Sequence, residues 1–245
     1  MDKIAVISDI HGNIPALSSV LKDISLRNVD RIFCLGDLVG KGPESKEAID
    51  IVRSSCDFVL KGNWDELITR EDVNDVVRWH QNQLSQEDIE YLRSLPFSID
   101  FYMSGRRLRL FHASPFSVWI RVQPWDSIEK RLSMFENSVE TGLGTKEPDV
   151  VGYGDVHNAF IQHLSGKTLF NAGSVGNPLD LPEASYCILE GTFNSEKRAP
   201  FSIQHIRVPY DIDLAIQLAR KKEMPELKEY IQELTTSRYR GLEKA

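Results

Sequence analysis

Short apolar runs alternate with amphipathic helical patterns over the first part of the chain. Residues 4–8, 31–35 and 58–60 have the apolar character of buried strands. Between them, residues 14–27 and 45–54 carry apolar side chains at helical spacing. This β-α-β-α-β order predicts a parallel sheet with right-handed crossovers, and such sheets bind ligands at the carboxyl ends of their strands.

The pattern changes beyond residue 64. Residues 72–83 and 86–92 predict polar helices, and residues 97–103 and 107–111 predict a hairpin that turns at Ser104-Gly105. Four further apolar runs predict that the second half forms a second, largely antiparallel sheet: residues 150–153, 168–170, 184–189 and 201–208.

The chain shows no internal repeat, low-complexity segment or linker, so we expect a single domain over residues 1–245 in which two sheets face each other. Residues 116–148 are poorly patterned and are the expected specificity insertion. Residues 211–245 are expected to form a C-terminal helical extension, broken at Met224-Pro225. This extension would pack on the core or on a second subunit, so the sequence is compatible with a homo-oligomer.

Composition narrows the classes of partner. The hydrophobic fraction of 41% and the charged fraction of 27% are those of a soluble globular protein, and the net charge is −7. An acidic chain without a basic stripe argues against nucleic acid and anionic membranes as partners. The negative net charge does not exclude a small phosphorylated substrate held by metal ions, because local charge governs such a site.

Targeting and cysteine usage predict a cytoplasmic protein. The N-terminal run lacks the basic, apolar and small-residue sections of a signal peptide, and no apolar run is long enough to cross a bilayer. The chain has 3 cysteines, Cys34, Cys56 and Cys187, without C-x-x-C spacing. Buried thiols in a reducing compartment are therefore favoured over a disulfide or a thiolate metal site.

The first apolar run stops at Asp9 and His11. Side chains at positions i and i+2 of an extended strand point the same way, so both can face one ion. The same kind of residue follows four more apolar runs, and a glycine that permits a sharp turn precedes Asp37, Asn63 and Asp155 in the sequence. The candidate ligands at the five strand ends are Asp9, His11, Asp37, Asn63, His112, Asp155 and His157.

This donor set mixes carboxylate, imidazole and amide groups, which suits Mn, Fe, Ni, Co or Zn rather than a cysteine-bound structural zinc. Seven ligands are too many for one ion and fit two ions that share a bridging carboxylate. Two such ions, roughly 3.5–4 Å apart, can clamp an in-line phosphoryl displacement. Each residue also has a simpler role open to it: Asp9 as a helix cap, Asp37 in a turn, Asn63 as a loop amide.

The motifs D-x-H, G-D-x-x-x-x-x-P, G-N, H-x-x-P and G-x-x-H occur here in one order over residues 4–178. In that order they resemble the calcineurin-like metallophosphoesterase superfamily. Residues 171–176, Asn-Ala-Gly-Ser-Val-Gly, resemble the family's N-P-G-S-V/I-G signature. The chain looks most like the compact bacterial and archaeal phosphodiesterase branch and is also similar to the asymmetric diadenosine tetraphosphate hydrolases.

The resemblance implies a four-layer α-β-β-α sandwich, an α/β fold of two facing mixed sheets flanked by helices. It also implies two divalent or trivalent transition-metal ions and attack on phosphorus by a hydroxide that bridges them. His112 and Asn63 would also contact the substrate, Asn63 at its phosphate. The implied ligands are Asp9, His11 and His157 for the first metal, Asn63 and His112 for the second, and Asp37 as the bridge.

Two positions depart from the family pattern. Asp155 replaces the first histidine of the usual G-H-x-H. A carboxylate there can ligate the second metal and would favour harder ions such as Mn or Fe. If Asp155 is not a ligand, the second metal is bound weakly. Trp64 stands where many relatives have a histidine that assists the leaving group. Indole cannot donate that proton, so Asp65 is the candidate donor and Trp64 is expected to line the substrate pocket.

The hypothesis drawn from the sequence is a cytoplasmic metal-dependent phosphoric ester hydrolase that acts on small phosphodiesters rather than monoesters. One alternative is an asymmetric diadenosine tetraphosphate hydrolase. Another is a non-catalytic member that binds a phosphate or nucleotide, which Asp155 and Trp64 would favour. His80, His163 and His205 have no motif around them and are expected to be surface or structural residues.

Overall fold

The structure, a computed structural model, describes residues 1–241 and contains two five-stranded sheets. The last four residues of the expected C-terminal extension, 242–245, lie outside the described residues. The first sheet has the order β10-β9-β1-β2-β3 and the second β4-β5-β6-β8-β7. The strands are β1 Asp2–Ile7, β2 Arg31–Cys34, β3 Phe58–Val59, β4 Ser98–Met103, β5 Arg106–Phe111, β6 Val150–Tyr153, β7 Phe160–Leu164, β8 Lys167–Asn171, β9 Ala184–Gly191 and β10 Ser202–Val208.

The predicted β-α-β-α-β order of the first half is confirmed. β1 pairs in parallel with β2, and β2 with β3. Helix α1, Ile14–Ser25, begins where the side chain of Asn13 accepts the amide of Ala16 and Pro15 occupies the first turn. The remaining helices are α2 Ser45–Ser55, α3 Asn63–Leu67, α4 Asp75–Gln81, α5 Gln86–Ser94, α6 Ile128–Leu132, α7 Ile212–Lys221 and α8 Leu227–Thr236, with a short 3₁₀ helix over Ser133–Phe135.

The predicted second sheet is wrong in composition. β9 and β10 belong to the first sheet, where β9 runs antiparallel beside β1 with Asp2 opposite Gly191. The second sheet is mixed, because β6 pairs in parallel with both β5 and β8. The free edge of β1 needed a partner, and β9, buried along nearly its whole length, suits a central position. β7 was missed because it is a short, half-exposed edge strand whose apolar residues are interrupted by Gln162 and His163.

The two sheets pack face to face, as the family resemblance implied. Ile4 and Val6 of β1 lie in the same buried cluster as Leu108 and Leu110 of β5 and Phe170 of β8. A second cluster joins the outer face of the first sheet to helices α1 and α2, and a third covers the outer face of the second sheet with residues 122–135. The order of layers is therefore helix, sheet, sheet, helix.

The C-terminal helices pack on the same chain. α7 contacts α1, and α7 and α8 share a buried cluster that contains Ala215, Tyr230 and Leu234. The insertion at residues 116–148 holds α6 and the 3₁₀ turn and lies on the second sheet. Within residues 1–241, no helix has the length and apolar character that a bilayer span requires.

Candidate metal centre

The seven candidate ligands converge at the carboxyl ends of five strands. Two follow β1, one follows β2, one opens α3 after β3, one follows β5 and two follow β6. All the charged and imidazole groups among them are buried. The residues are Asp9 and His11, Asp37, Asn63, His112, and Asp155 and His157.

The loops that carry these ligands have an unusual backbone. Asp9, His11, Asp37, Asp155 and His157 all have positive φ, between 50° and 61°. A left-handed conformation costs free energy in residues other than glycine, so the surrounding packing must enforce it. Such strained residues cluster at functional sites, because the turn aims the side chain where a regular strand cannot.

Two close backbone approaches hold these loops together. A β-carbon on Gly36 would lie 2.3 Å from the amide nitrogen of Gly62, so the loops after β2 and β3 touch through backbone atoms. The segment at 171–176 packs against the loop after β1, where Ser174 Oγ donates to the carbonyl of Asp9 over 2.8 Å. The glycine-rich signature therefore has a packing role beside the first ligand.

The three histidines are held in the same way. His11 Nδ1 lies 3.0 Å from the carbonyl oxygen of Val39, and His112 Nδ1 lies 3.0 Å from that of Leu35. His157 Nδ1 contacts the carbonyl oxygen of Asn177. A carbonyl oxygen only accepts, so each neutral ring carries its proton on Nδ1 and leaves a free lone pair on Nε2. This is the usual arrangement of metal-binding histidines.

The first group of ligands consists of Asp9, His11 and His157. His157 Nε2 lies 3.1 Å from Asp9 Oδ1, and His11 Nε2 lies 3.2 Å from His157 Nε2. Asp9 Oδ1 is buried and has no hydrogen bond within residues 1–241. Three electron-pair donors this close together repel one another unless a cation lies among them. The group therefore fits a bound metal ion.

The second group consists of Asp9, Asp37 and His112. Asn63 Oδ1 lies 3.0 Å from His112 Nε2, which adds an amide oxygen to this group. Asp37 Oδ1 is 3.4 Å from His112 Nε2 and Asp37 Oδ2 is 3.6 Å from His11 Nε2, so its carboxylate faces both groups. This geometry suits a bridging role for Asp37, and Asp9 also lies within reach of both groups.

The electrostatics of the centre favour binding of a cation. Burial raises the pKa of Asp37 well above its usual range. Burial opposes protonation of His112, but Asp37 and Asp9 outweigh it and raise the pKa of His112 to about 9. Both shifts arise because carboxylates are crowded together away from water. A divalent cation would remove this repulsion.

Asp155 contacts a partner that the sequence did not suggest. Arg121, from the insertion, donates to both carboxylate oxygens of Asp155, with Nε–Oδ2 at 2.9 Å and Nη2–Oδ1 at 2.8 Å. The backbone amide of Asp155 donates to Asp9 Oδ2 over 3.1 Å. Asp155 is therefore beside the centre, but its carboxylate belongs to neither ligand group among the described residues.

Asp65 and Trp64 have distinct positions. The carboxylate of Asp65 accepts the backbone amides of Asp37, Leu38 and Gly62 at 2.8–2.9 Å. Both oxygens are thus committed to backbone amides, and this geometry favours a structural role over the proton donor that the sequence predicted. The amide of Trp64 donates to Asp37 Oδ1 over 2.8 Å, and the indole lines the neighbouring cavity.

That cavity has a volume of about 460 Å³. Its floor includes four residues of the centre, and the rest of its wall comes from the loop after β2, the insertion and the segment after α8. The sequence predicted a specificity role for the insertion and a place in the pocket for Trp64, but no motif marks Lys41 or the segment after α8. The lining residues include Lys41, Arg121, Trp125, Arg238, Tyr239 and Arg240.

His80 borders this region from behind Trp64 and is a buried structural residue. Its ring lies 5.8 Å from the Trp64 ring, and Nδ1 is 3.2 Å from Ser45 Oγ. Burial lowers the pKa of His80 to about 4, from an ordinary value of 6.5. The unfolded chain therefore binds a proton that the folded chain excludes, and stability falls as the pH drops from 6.5 to 4.

We expect the free energy of unfolding to decline in this window with a contribution from His80 of up to about 1.4 kcal/mol per pH unit. Urea denaturation of chelator-treated protein at several pH values measures it. His80→Asn should flatten the dependence, whereas His163→Asn at an exposed position should not. An equal slope in wild type and His80→Asn would contradict this assignment.

Comparison with known proteins agrees with this geometry. The model of the calcineurin-like phosphoesterase superfamily domain matches residues 2–192. An uncharacterised protein of Methanocaldococcus jannaschii is 32% identical over 91% of this chain and 94% of its own length. A symmetrical bis(5'-nucleosyl)-tetraphosphatase of Erwinia tasmaniensis is 29% identical over 35% of this chain and 40% of its own length.

Two solved structures share the fold over nearly the whole chain. A metallophosphoesterase from Sphaerobacter thermophilus superposes with a TM-score of 0.74 and 25% identity, covering 96% of this chain and 99% of its own. A hypothetical protein from Pyrococcus horikoshii has a TM-score of 0.76 and 20% identity, covering 96% and 98%. The second likeness concerns the fold alone.

Proposed function

The chain belongs to the calcineurin-like phosphoesterase superfamily, and from this premise we propose that it hydrolyses small phosphodiesters with two transition-metal ions bound at the centre. The observation that carries the proposal is the convergence of three histidine Nε2 atoms, whose rings are each anchored through Nδ1 to a backbone carbonyl, with the carboxylates of Asp9 and Asp37. The mixed oxygen and nitrogen donors favour Mn or Fe, with Ni, Co or Zn as alternatives.

Some residues of the centre would bind the metals, and others would orient the substrate. Asp9, His11 and His157 would hold one ion, Asn63 and His112 the other, and Asp37 would bridge them. When bound, the ions supply Lewis-acid activation of water and neutralise the charge of the phosphate. The amide of Asn63 would also orient a phosphate oxygen, and Trp64 would exclude water on one side of the cavity.

The shape of the cavity supports a small substrate. A volume of about 460 Å³ is typical of sites for small molecules. The insertion and the C-terminal segment wall it in, which suits a small diester better than a protein. We propose that both segments determine specificity, that the chain acts as one domain, and that it works in the cytoplasm.

A metal-replete activity screen tests the proposal. Protein loaded with Mn, Fe, Ni, Co or Zn is assayed on an aryl monoester, a bis-aryl phosphate and a dinucleoside polyphosphate, and its metal content is measured. We expect close to two equivalents of metal and faster turnover of the diester than of the monoester. Less than one equivalent, together with unchanged bis-aryl phosphate hydrolysis in Asp37→Asn, would refute the proposal.

A dinucleoside polyphosphate is the second candidate substrate, favoured by the similarity of residues in this chain to the Erwinia tetraphosphatase. Products distinguish the modes of cleavage of diadenosine tetraphosphate. ATP plus AMP would indicate the asymmetric hydrolase, and two ADP the symmetrical one. Tight nucleotide binding without turnover in any metal would instead support a non-catalytic role.

Asp155 as a ligand of the second metal remains a prediction, in which one carboxylate would contact both the metal and Arg121. We expect Asp155→Ala to weaken binding of the second equivalent of metal by roughly tenfold or more, because a charged ligand is lost. Calorimetric titration of wild type and variant measures this. An unchanged second equivalent would mean that Asp155 only holds Arg121, and Arg121→Met is the matched variant that frees the carboxylate.

A further inference from the structure

We propose that the cavity beside the metal centre binds a second anionic group of the substrate, such as a further phosphate, through Lys41 and Arg238. The inference rests on the proposed function only for the location of the reacting phosphate. Both residues line the cavity together with Asp37 and Asn63. Arg238 lies beyond residue 192, where the match to the superfamily ends.

Lys41 is fixed beside the ligands by a buried network. It follows Gly40 in the loop after β2, and its Nζ donates to Asn177 Oδ1 over 3.1 Å. Asn177 is fully buried, and its carbonyl accepts His157 Nδ1 while its Nδ2 donates to Glu233 Oε2. The ammonium group thus has a defined position, and two of its three N–H donors have no hydrogen-bond partner within residues 1–241.

The charges around Lys41 are committed elsewhere. Its acidic neighbours are Glu233, Asp37 and Asp9. Glu233 is bound by Arg240, whose Nε and Nη2 lie 2.9 and 2.7 Å from its two oxygens. Asp9 and Asp37 face the metal centre, so bound cations would take up their charge. A partly buried ammonium group that makes no direct ion pair within residues 1–241 can still bind an anion.

Arg238, in the segment after α8, supplies a second uncommitted cation to the lining of the cavity. Its guanidinium has no hydrogen bond or ion pair to any residue of the described part of the chain. The neighbouring Arg240 contrasts with it, because Arg240 is neutralised by Glu233 and Glu226. Arg121 is only partly committed, because Asp155 pairs with one edge of its guanidinium through Nε and Nη2.

This arrangement selects a chemical class of substrate. A phosphate at the metals leaves Lys41 and Arg238 to receive negative charge on the group attached to it. A phosphoester or phosphoanhydride that carries a second phosphate meets this condition, whereas a simple diaryl diester leaves both cations unpaired. Charge-assisted hydrogen bonds to both cations give such a substrate its advantage.

Equilibrium dialysis tests the inference with two probes, AMP and α,β-methylene-ADP, which differ by one phosphate and resist hydrolysis between phosphates. On metal-loaded protein we expect the diphosphate analogue to bind roughly ten- to a hundredfold more tightly. Lys41→Met and Arg238→Met should each lower this ratio several-fold. Lys221→Met, an exposed cation of α7 outside the cavity, should preserve it.

Equal affinities in wild type, or a preference unchanged in both variants, would overturn the inference. Arg238 is exposed, so Arg238→Met decides the matter if Lys41→Met melts early. Dialysis needs no turnover, which separates the two proposals. A diphosphate preference in a protein that hydrolyses nothing would refute the proposed function alone, and hydrolysis without the preference would refute only this inference.

Discussion

Asparagine at position 9 is expected to abolish binding of both metal ions while leaving the fold intact. Asp9 is the carboxylate common to both ligand groups, so its charge helps to hold either ion. Loss of both ions removes several kcal/mol of transition-state stabilisation, and we expect hydrolysis to fall by roughly a thousandfold or more. Metal content after dialysis and bis-aryl phosphate turnover measure the two effects.

The fold of Asp9→Asn should survive because the amide satisfies the same neighbours. Its oxygen can accept the backbone amide of Asp155, and its NH₂ group can donate to His157 Nε2. Metal-free variant and metal-free wild type should therefore melt at similar temperatures, with any difference in favour of the variant. Asp213→Asn, on an exposed position of α7, is the matched control and should keep full metal content. Full metal binding by Asp9→Asn would contradict the assignment.

The substitution Asp65→Ala is expected to cause a large loss of stability. The Asp65 carboxylate accepts three buried backbone amides and thereby joins the loops after β2 and β3. Asp65→Ala leaves all three donors without partners, which we expect to lower the free energy of unfolding by about 3–5 kcal/mol. Denaturant titration measures this loss.

The same variant separates two roles of Asp65. A proton donor would lose activity at unchanged stability, whereas a structural carboxylate loses stability first and displaces Asp37 with it. Asp65→Asn should be intermediate, because its single oxygen can still accept two of the amides. Asp72→Ala, at an exposed position, should change stability by less than about 0.5 kcal/mol. Full stability of Asp65→Ala would rule out the structural role.

Local pattern is sufficient to predict the elements of the first half and the ligand positions within it. The predicted strands there differ from β1, β2 and β3 by one or two residues at their ends. This works because side-chain periodicity is a property of adjacent residues. Strand pairing in the second half cannot be predicted in this way. No local pattern indicates that the partner of β9 is β1, some 180 residues earlier.

For the metal centre, too, the sequence predicts some features and the tertiary structure decides the others. The sequence by itself determined which carboxylates and imidazoles stand at the carboxyl ends of strands. Only the tertiary structure decided that Asp65 caps backbone amides, that Arg121 holds Asp155, and that Lys41 is fixed by Asn177. The physical reason is that a motif records the type and spacing of side chains, whereas a hydrogen bond or ion pair depends on which distant segment folds against them.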